Sequence, residues 1–214
     1  MRFTRRALLA ATPLLLAAPV AGAQSSFEGV ITMRMRSDRA PEPMTMRYLV
    51  REGRIRSEVS MGGMEVAAIV DPAKREVYSV MPAQRMYMVM ALPDDAPAGV
   101  RAPEVTKTGR RETIAGHTCE HYLVKTEQQT MDVCLATDMP ALVMSGGAGG
   151  GGAGVWASAL GKQPGFPLKV TVQGASEAML EVTSIEAKRL DPALFAPPAD
   201  FRRMEMPGGM PRRP

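Results

Sequence analysis

The sequence predicts an all-β protein, a meander of antiparallel strands curling into a barrel or sandwich. Three observations carry that prediction. Six short segments within residues 27–90 alternate apolar and polar side chains, the two-residue period of strands with one covered face. Turn chemistry separates them at near-regular spacing, as in Glu52-Gly53, Met61-Gly62-Gly63-Met64, Asp71-Pro72-Ala73-Lys74 and Pro82-Ala83. A further strand–turn–strand pattern surrounds the only two cysteines, Cys119 and Cys134.

Ahead of the first strand, residues 1–23 have the makeup of a secretory signal peptide. Arg2, Arg5 and Arg6 form a basic stretch, residues 7–20 are apolar, and Ala21-Gly22-Ala23 is a small-residue cleavage site. The apolar run is shorter than a membrane span requires, and no other run approaches that length. The expected compartment is the periplasm, reached by general secretion or by a twin-arginine route. Cleavage removes three arginines and no acid, so the formal charge of +4 falls to +1 and the basic balance says little about partners.

The mature chain then reads in order. In residues 27–36, Phe27, Ile31, Met33 and Met35 share one face, and Glu28, Thr32, Arg34 and Arg36 the other. Residues 37–43, with Pro41 and Pro43, read as a turn. Residues 44–51 place Met44, Met46, Tyr48 and Val50 inward, and residues 54–60 return with Ile55 and Val59 inward. Residues 65–70, 76–81 and 85–90 complete the first run, with Met86, Met88 and Met90 inward. Residues 91–103 hold Pro93, Pro97 and Pro103 and read as an irregular crossing; residues 104–114 are a more polar strand. Asp138, Met139 and Pro140 resemble a helix start, interrupted by the glycine-rich residues 146–154, after which residues 155–161 with Trp156 form a second helical piece. Residues 166–173 and 178–187 are closing strands, and residues 191–195 a docked turn. The chain from Arg202 has too little apolar content to fold. The expected organisation is a signal peptide over 1–23, an exported β-domain over 24–201 and a disordered tail over 202–214.

The cysteine hairpin carries the most chemistry. If Thr126 and Glu127 make a two-residue turn, Cys119 lies directly opposite Cys134, and His121 opposite Asp132. Tyr122, Val124, Met131, Val133 and Leu135 then face the core, and His117, Cys119, His121, Asp132 and Cys134 share the other face. Those five could form a metal site. Opposed cysteines in an oxidising compartment favour a disulfide instead, closing a loop worth roughly 3 kcal/mol. The disulfide is the expectation; no metal and no cofactor are expected, because export opposes the free thiols a metal would need.

The segments FEGVI, YLVREGRIRSEV, AAIVDPAKREVYSVMPAQRMYM, ETIAGHTCEHYLV, VCLATDMPAL and SIEAKRLDPALFAPPADF follow one another in an order that resembles the domain of unknown function family DUF4412, over residues 27–201. The most specific piece is Ile114-Ala115-Gly116 followed by Cys119, with the second cysteine on the return strand. The family looks like a relative of the periplasmic (LolA-like) lipoprotein carriers. That resemblance implies an unclosed antiparallel β-barrel of about eleven strands with a helical plug, here interrupted by glycines.

No residue set identifies a reaction, and the protein is not expected to be an enzyme. His117 and His121 have no serine or free thiol nearby in sequence. The Gly147, Gly149, Gly152 spacing lacks the strand and helix of a nucleotide-binding loop. The arginines fall at strand spacing among inward apolar residues, a solvated face rather than a nucleic-acid patch. Methionine is over-represented: 18 residues, against 10 aromatics. The expectation is a non-enzymatic exported binding protein whose concave apolar face takes a lipid, a lipoprotein segment or another hydrophobic ligand. Its lining would be Met33, Met35, Met46, Tyr48, Met88 and Trp156, soft side chains suited to an adaptable surface. One alternative is copper binding by Met61, Met64, Met204, Met206 and Met210; another is an envelope structural module. No protein partner is indicated.

Overall fold

A computed structural model of the chain describes residues 27–37, 40–61, 63–92, 103–139 and 165–205. The signal-peptide segment, most of the 139–161 cover with Trp156, and the tail beyond Glu205 lie outside them. The strands are β1 (Gly29–Ser37), β2 (Ala40–Arg51), β3 (Arg54–Met61), β4 (Met64–Asp71), β5 (Glu76–Met81), β6 (Met86–Ala91), β7 (Glu104–Ile114), β8 (His117–Lys125), β9 (Thr130–Ala136), β10 (Phe166–Val172), β11 (Leu180–Ala187) and β12 (Arg202–Arg203). All join one sheet in the order β12-β6-β5-β4-β3-β2-β1-β11-β10-β9-β8-β7. Every pairing is antiparallel except the short parallel one of β12 with β6. Among the described residues the sheet does not close, and its edges are β12 and β7. Among the described residues the helical segments are two 3-10 turns, Pro82–Gln84 and Pro192–Phe195.

Local chemistry sets the hairpins. Glu52-Gly53 and Ala115-Gly116 both have positive φ at both positions, the two-residue turn whose twist matches the strands it joins. Pro41 and Pro43 lie inside β2 rather than in a turn. The pairing of β2 with β3 begins only at Thr45, so the proline stretch has β1 on one side and no second ladder to supply.

The sheet is strongly curled. Tyr48 on β2 and Phe166 on β10 stand three strands apart in sheet order, yet their rings meet edge to face at 5.4 Å. A flat sheet would hold those strands about 14 Å apart. The inner face collects Ile31, Met33, Met46, Tyr48, Val50, Ile55, Val70 and Val77 from one wing with Tyr122, Val124, Val133, Phe166, Val170 and Val182 from the other. Its centre is dry: Ile31, Met33, Val124, Val133 and Phe166 have no exposed surface.

A second, smaller core lies on the outer face of β1–β5. Leu190 and Phe195 cover Val30, Leu49, Ile69, Tyr78 and Val80 there. The segment carrying them is tied down at several points: Leu190 N–H donates to Glu28 Oε1 at 2.7 Å, Arg51 binds the Leu190 carbonyl, and Arg56 Nη1 donates to the Leu194 carbonyl at 3.0 Å. Asp191 caps the 3-10 turn through Ala193 N–H at 2.8 Å. The docked turn expected at residues 191–195 is therefore part of a longer strap. Ordered chain also continues past Arg202, where the tail was expected to begin: Arg202 N–H and Met204 N–H donate to the carbonyls of Arg85 and Tyr87 on the exposed side of β6. Backbone pairing holds a segment that has too few apolar side chains to hold itself.

Candidate functional site

Two places on the sheet gather functional side chains. The first is the inner wall. Register puts Met33 opposite Met46, Met35 opposite Met44 and Ile31 opposite Tyr48. Met33 (0% exposed), Met46 (6%) and Tyr48 (1%) are sealed in the filled centre, and Met35 is half-buried beside them. Met88 lies opposite Ser79 and Met90 opposite Val77, on the same inner face toward the β6 side. There the wall opens: Met86, Met88 and Met90 are half-buried, and Val66 is 40% exposed, the single exposed large hydrophobic among the described residues. The expected lining thus divides, with Met33, Met46 and Tyr48 as core and Met88 on an accessible stretch. Phe166, which plugs the centre, was not foreseen as a lining residue; a lone Phe opening a strand gives no sign of what it faces three strands away. Of the methionines suggested for copper, Met204 is half-buried and hydrogen-bonded through its backbone. The side chains of Met61, Met64, Met206 and Met210 lie outside the described residues.

At the other rim of the inner face, Lys107 Nζ lies 2.7 Å from Glu120 Oε2. The hydrogen bond each makes to the other holds the Lys107 ammonium above its ordinary value and the Glu120 carboxyl below its own.

The second place is the outer face of β7–β10. Cys119 and Cys134 are bonded to each other, with Cα atoms 5.2 Å apart. Their geometry differs in register from the expectation. Tyr122 pairs with Val133 and His121 with Cys134, so the loop spans four residues, Thr126 to Gln129, and the cysteines stand diagonally. The reason is turn chemistry: a two-residue loop favours Gly or Asn at positive φ, which Thr-Glu does not offer. Thr126 instead closes the longer loop, its N–H donating to the Gln129 carbonyl at 2.9 Å and its Oγ1 accepting from Gln129 N–H at 3.0 Å. The slip is an even number of residues, so the expected faces survive and the neighbours change.

His121 now sits opposite Cys134 and diagonal to Asp132. It is 8% exposed; it and Asp71 are the buried polar residues among those described. Its Nδ1 lies 2.6 Å from Asp132 Oδ1 and its Nε2 3.3 Å from Glu112 Oε2. Arg110 Nη2 is 2.8 Å from the same Nδ1 and also pairs with Asp132 Oδ2. Nδ1 thus lies between a donor, Arg110, and an acceptor, Asp132. Lys169 Nζ holds Glu112 Oε1 at 3.1 Å. The surface above is a groove of about 340 Å³ lined by Arg110, Glu112, His121, Asp132 and Lys169 among others. His117 stands apart, paired with Asp138 at 2.9 Å. Of the five residues expected on this face, the structure brings four together and adds Glu112, Arg110 and Lys169. Glu112 could have been found, since it pairs directly with Cys119 across the Ala115-Gly116 turn.

The outer arginines of the other wing meet acids: Arg34–Glu181 and Arg36–Glu177 at 2.8 Å, and Arg47–Glu58 at 2.7 Å. Such exposed pairs contribute about 0–1 kcal/mol each. Among the described residues no helix is long and apolar enough to cross a membrane.

This architecture defines a class: all-β proteins built on one open, curled, predominantly antiparallel sheet. Within it, the chain belongs to the family described as Domain of unknown function (DUF4412), whose model matches residues 27–201. In fold it is similar to an uncharacterized conserved protein from Thermus thermophilus, at 12% identity and TM-score 0.52, covering 85% of this chain and 91% of that one. Two structures of PNGF-II match at 13% and 14% identity with TM-scores of 0.49 and 0.47. They cover 84% and 79% of this chain but only 31% and 30% of theirs. A comparison with curated proteins found no match.

Proposed function

We propose that the protein is an exported, non-enzymatic binding protein that holds an apolar ligand, a lipid or a lipoprotein segment, against the inner face of its sheet. The observation that carries this reading is the gradient of burial along one continuous apolar wall. The centre is sealed by Tyr48 and Phe166, while Val66, Met86, Met88 and Met90 on the β4–β6 side keep accessible apolar surface. Accessible methionine beside a rigid core suits ligands of variable shape, because the thioether side chain repacks at low cost. The open, curled antiparallel sheet also supports a relationship to the periplasmic lipoprotein carriers, with the ligand displaced toward one wing because the middle is filled. The signal-peptide makeup of residues 1–23 and the disulfide support a periplasmic location.

The test is displacement of an apolar fluorescent dye by fatty acids and phospholipids. Wild-type protein should bind the dye and release it to lipid. Met88→Asp and Val66→Asp should weaken both steps at least tenfold while the circular dichroism spectrum is retained. Absence of dye and lipid binding by folded wild-type protein would replace this reading with a structural role in the envelope.

A further inference from the structure

The Cys119–Cys134 disulfide sits in an arrangement more elaborate than a structural crosslink needs. Two neighbouring cross-strand pairs, Glu112 with Cys119 and His121 with Cys134, form a four-residue patch on one face. One ligand atom each from Glu112, His121 and Cys134 lie within 4.8 Å of one another, and Cys119 Sγ is bonded to Cys134 Sγ. Both sulfurs and the imidazole belong to buried residues.

The surrounding hydrogen bonds point the same way. Asp132 Oδ1 lies 2.6 Å from His121 Nδ1, a contact that orients the ring so that Nε2 faces Glu112 Oε2 at 3.3 Å. A proton on Nε2 satisfies that contact in the oxidised protein, and a cation held by both groups would satisfy it equally. Carboxylate support of the far ring nitrogen is what orients histidines that bind metals through Nε2. Lys169 holds the other Glu112 oxygen at 3.1 Å, and Arg110 the other Asp132 oxygen, so both carboxylates are oriented.

The geometry points to a redox-gated metal site: reduction of the disulfide opens a tetrahedral zinc-type site made of Cys119, Cys134, His121 Nε2 and Glu112. A dithiol reductant transfers two electrons and two protons to the S–S bond, giving two cysteine thiols and the oxidised, cyclic disulfide of the reductant. Zn²⁺ then displaces both thiol protons to solvent and binds two thiolates, one imidazole and one carboxylate, a donor set suited to zinc. In the oxidised protein the sulfurs are spent on each other and the site is closed. A groove of about 410 Å³ lined by Arg111, Gly116, His117, Cys119 and Asp138 adjoins the disulfide.

The experiment uses the mature chain, oxidised or reduced with a phosphine that is then removed without air, and titrated with Zn²⁺ by calorimetry and native mass spectrometry. Co²⁺ serves as an optical probe for thiolate-to-metal charge transfer. The reduced chain should bind one Zn²⁺ and show that absorption, and the oxidised chain should bind none at the same concentrations. Cys134→Ser and His121→Ala should abolish stoichiometric binding, and Asp132→Asn should weaken it roughly 10–100-fold. Should reduction loosen the fold, Zn²⁺ should restore the native circular dichroism spectrum and raise Tm. The proposal is overturned by a folded reduced chain that does not bind, by equal binding in both redox states, by unchanged binding in His121→Ala, or by a reduced chain that Zn²⁺ does not refold.

Discussion

The contact between Tyr48 and Phe166 makes the curl of the sheet measurable. The perturbation is a double-mutant cycle of Tyr48→Leu and Phe166→Leu, leucine being chosen so that neither site is emptied. Each single change should cost about 1–2 kcal/mol, within the range of ordinary core substitutions. The ring centroids are 5.4 Å apart at an interplanar angle of 62°, an edge-to-face pair. Such pairs contribute about 0.5–1.5 kcal/mol beyond the area they cover. Urea unfolding of the four proteins should therefore give a coupling energy of about 1 kcal/mol. In a flat sheet the two strands would stand about 14 Å apart, and changes at that distance add to within about 0.3–0.5 kcal/mol. Additivity within that margin would refute the curl, and with it the separation of a sealed centre from an open wing.

Other expectations rest on independent parts of the molecule. Reducing the disulfide, whose cysteines are 15 residues apart, should remove about 3 kcal/mol of stability in metal-free buffer, a fall in Tm of about 6–12 °C by calorimetry. Tyr78 has its phenol pKa raised to about 12, first by burial and then by its hydrogen bond to Glu76. The folded state thus holds this proton more tightly than the unfolded one, so its stabilisation is whole below pH 10 and is lost as pH rises toward 12. Melting curves of Tyr78→Phe should lack that share of the alkaline decline. Phe195→Ala should cost about 3–5 kcal/mol by urea unfolding, because Phe195 is 2% exposed against the outer core.

Much of the architecture was legible because strand alternation is a local signal. Residues 76–81, 104–114 and 117–125 are strands at the expected bounds, as β5, β7 and β8. The inward methionines of β1, β2 and β6 stand on the expected face. Sheet order was not legible: β1 joins β11, and β12 joins β6, through contacts no local pattern encodes. Among the described residues twelve strands stand where about eleven were expected, because β12 forms by backbone pairing that leaves no trace in hydropathy. The disulfide was legible from two cysteines on one hairpin. Its diagonal placement was not, since it depends on Thr126 closing a four-residue loop. The lining was half legible: alternation says which face Met33 and Met88 share, while curvature decides that one is sealed and the other accessible.

The central claim, that the inner face holds an apolar ligand, is tested most directly by native mass spectrometry of the protein purified without detergent from its own host. The reading predicts a population heavier than the mature polypeptide, with the added mass extracted into organic solvent as lipid or acylated peptide and depleted in Met88→Asp. A bare polypeptide mass in folded wild-type protein, unchanged after incubation with phospholipid and fatty acid, would contradict it.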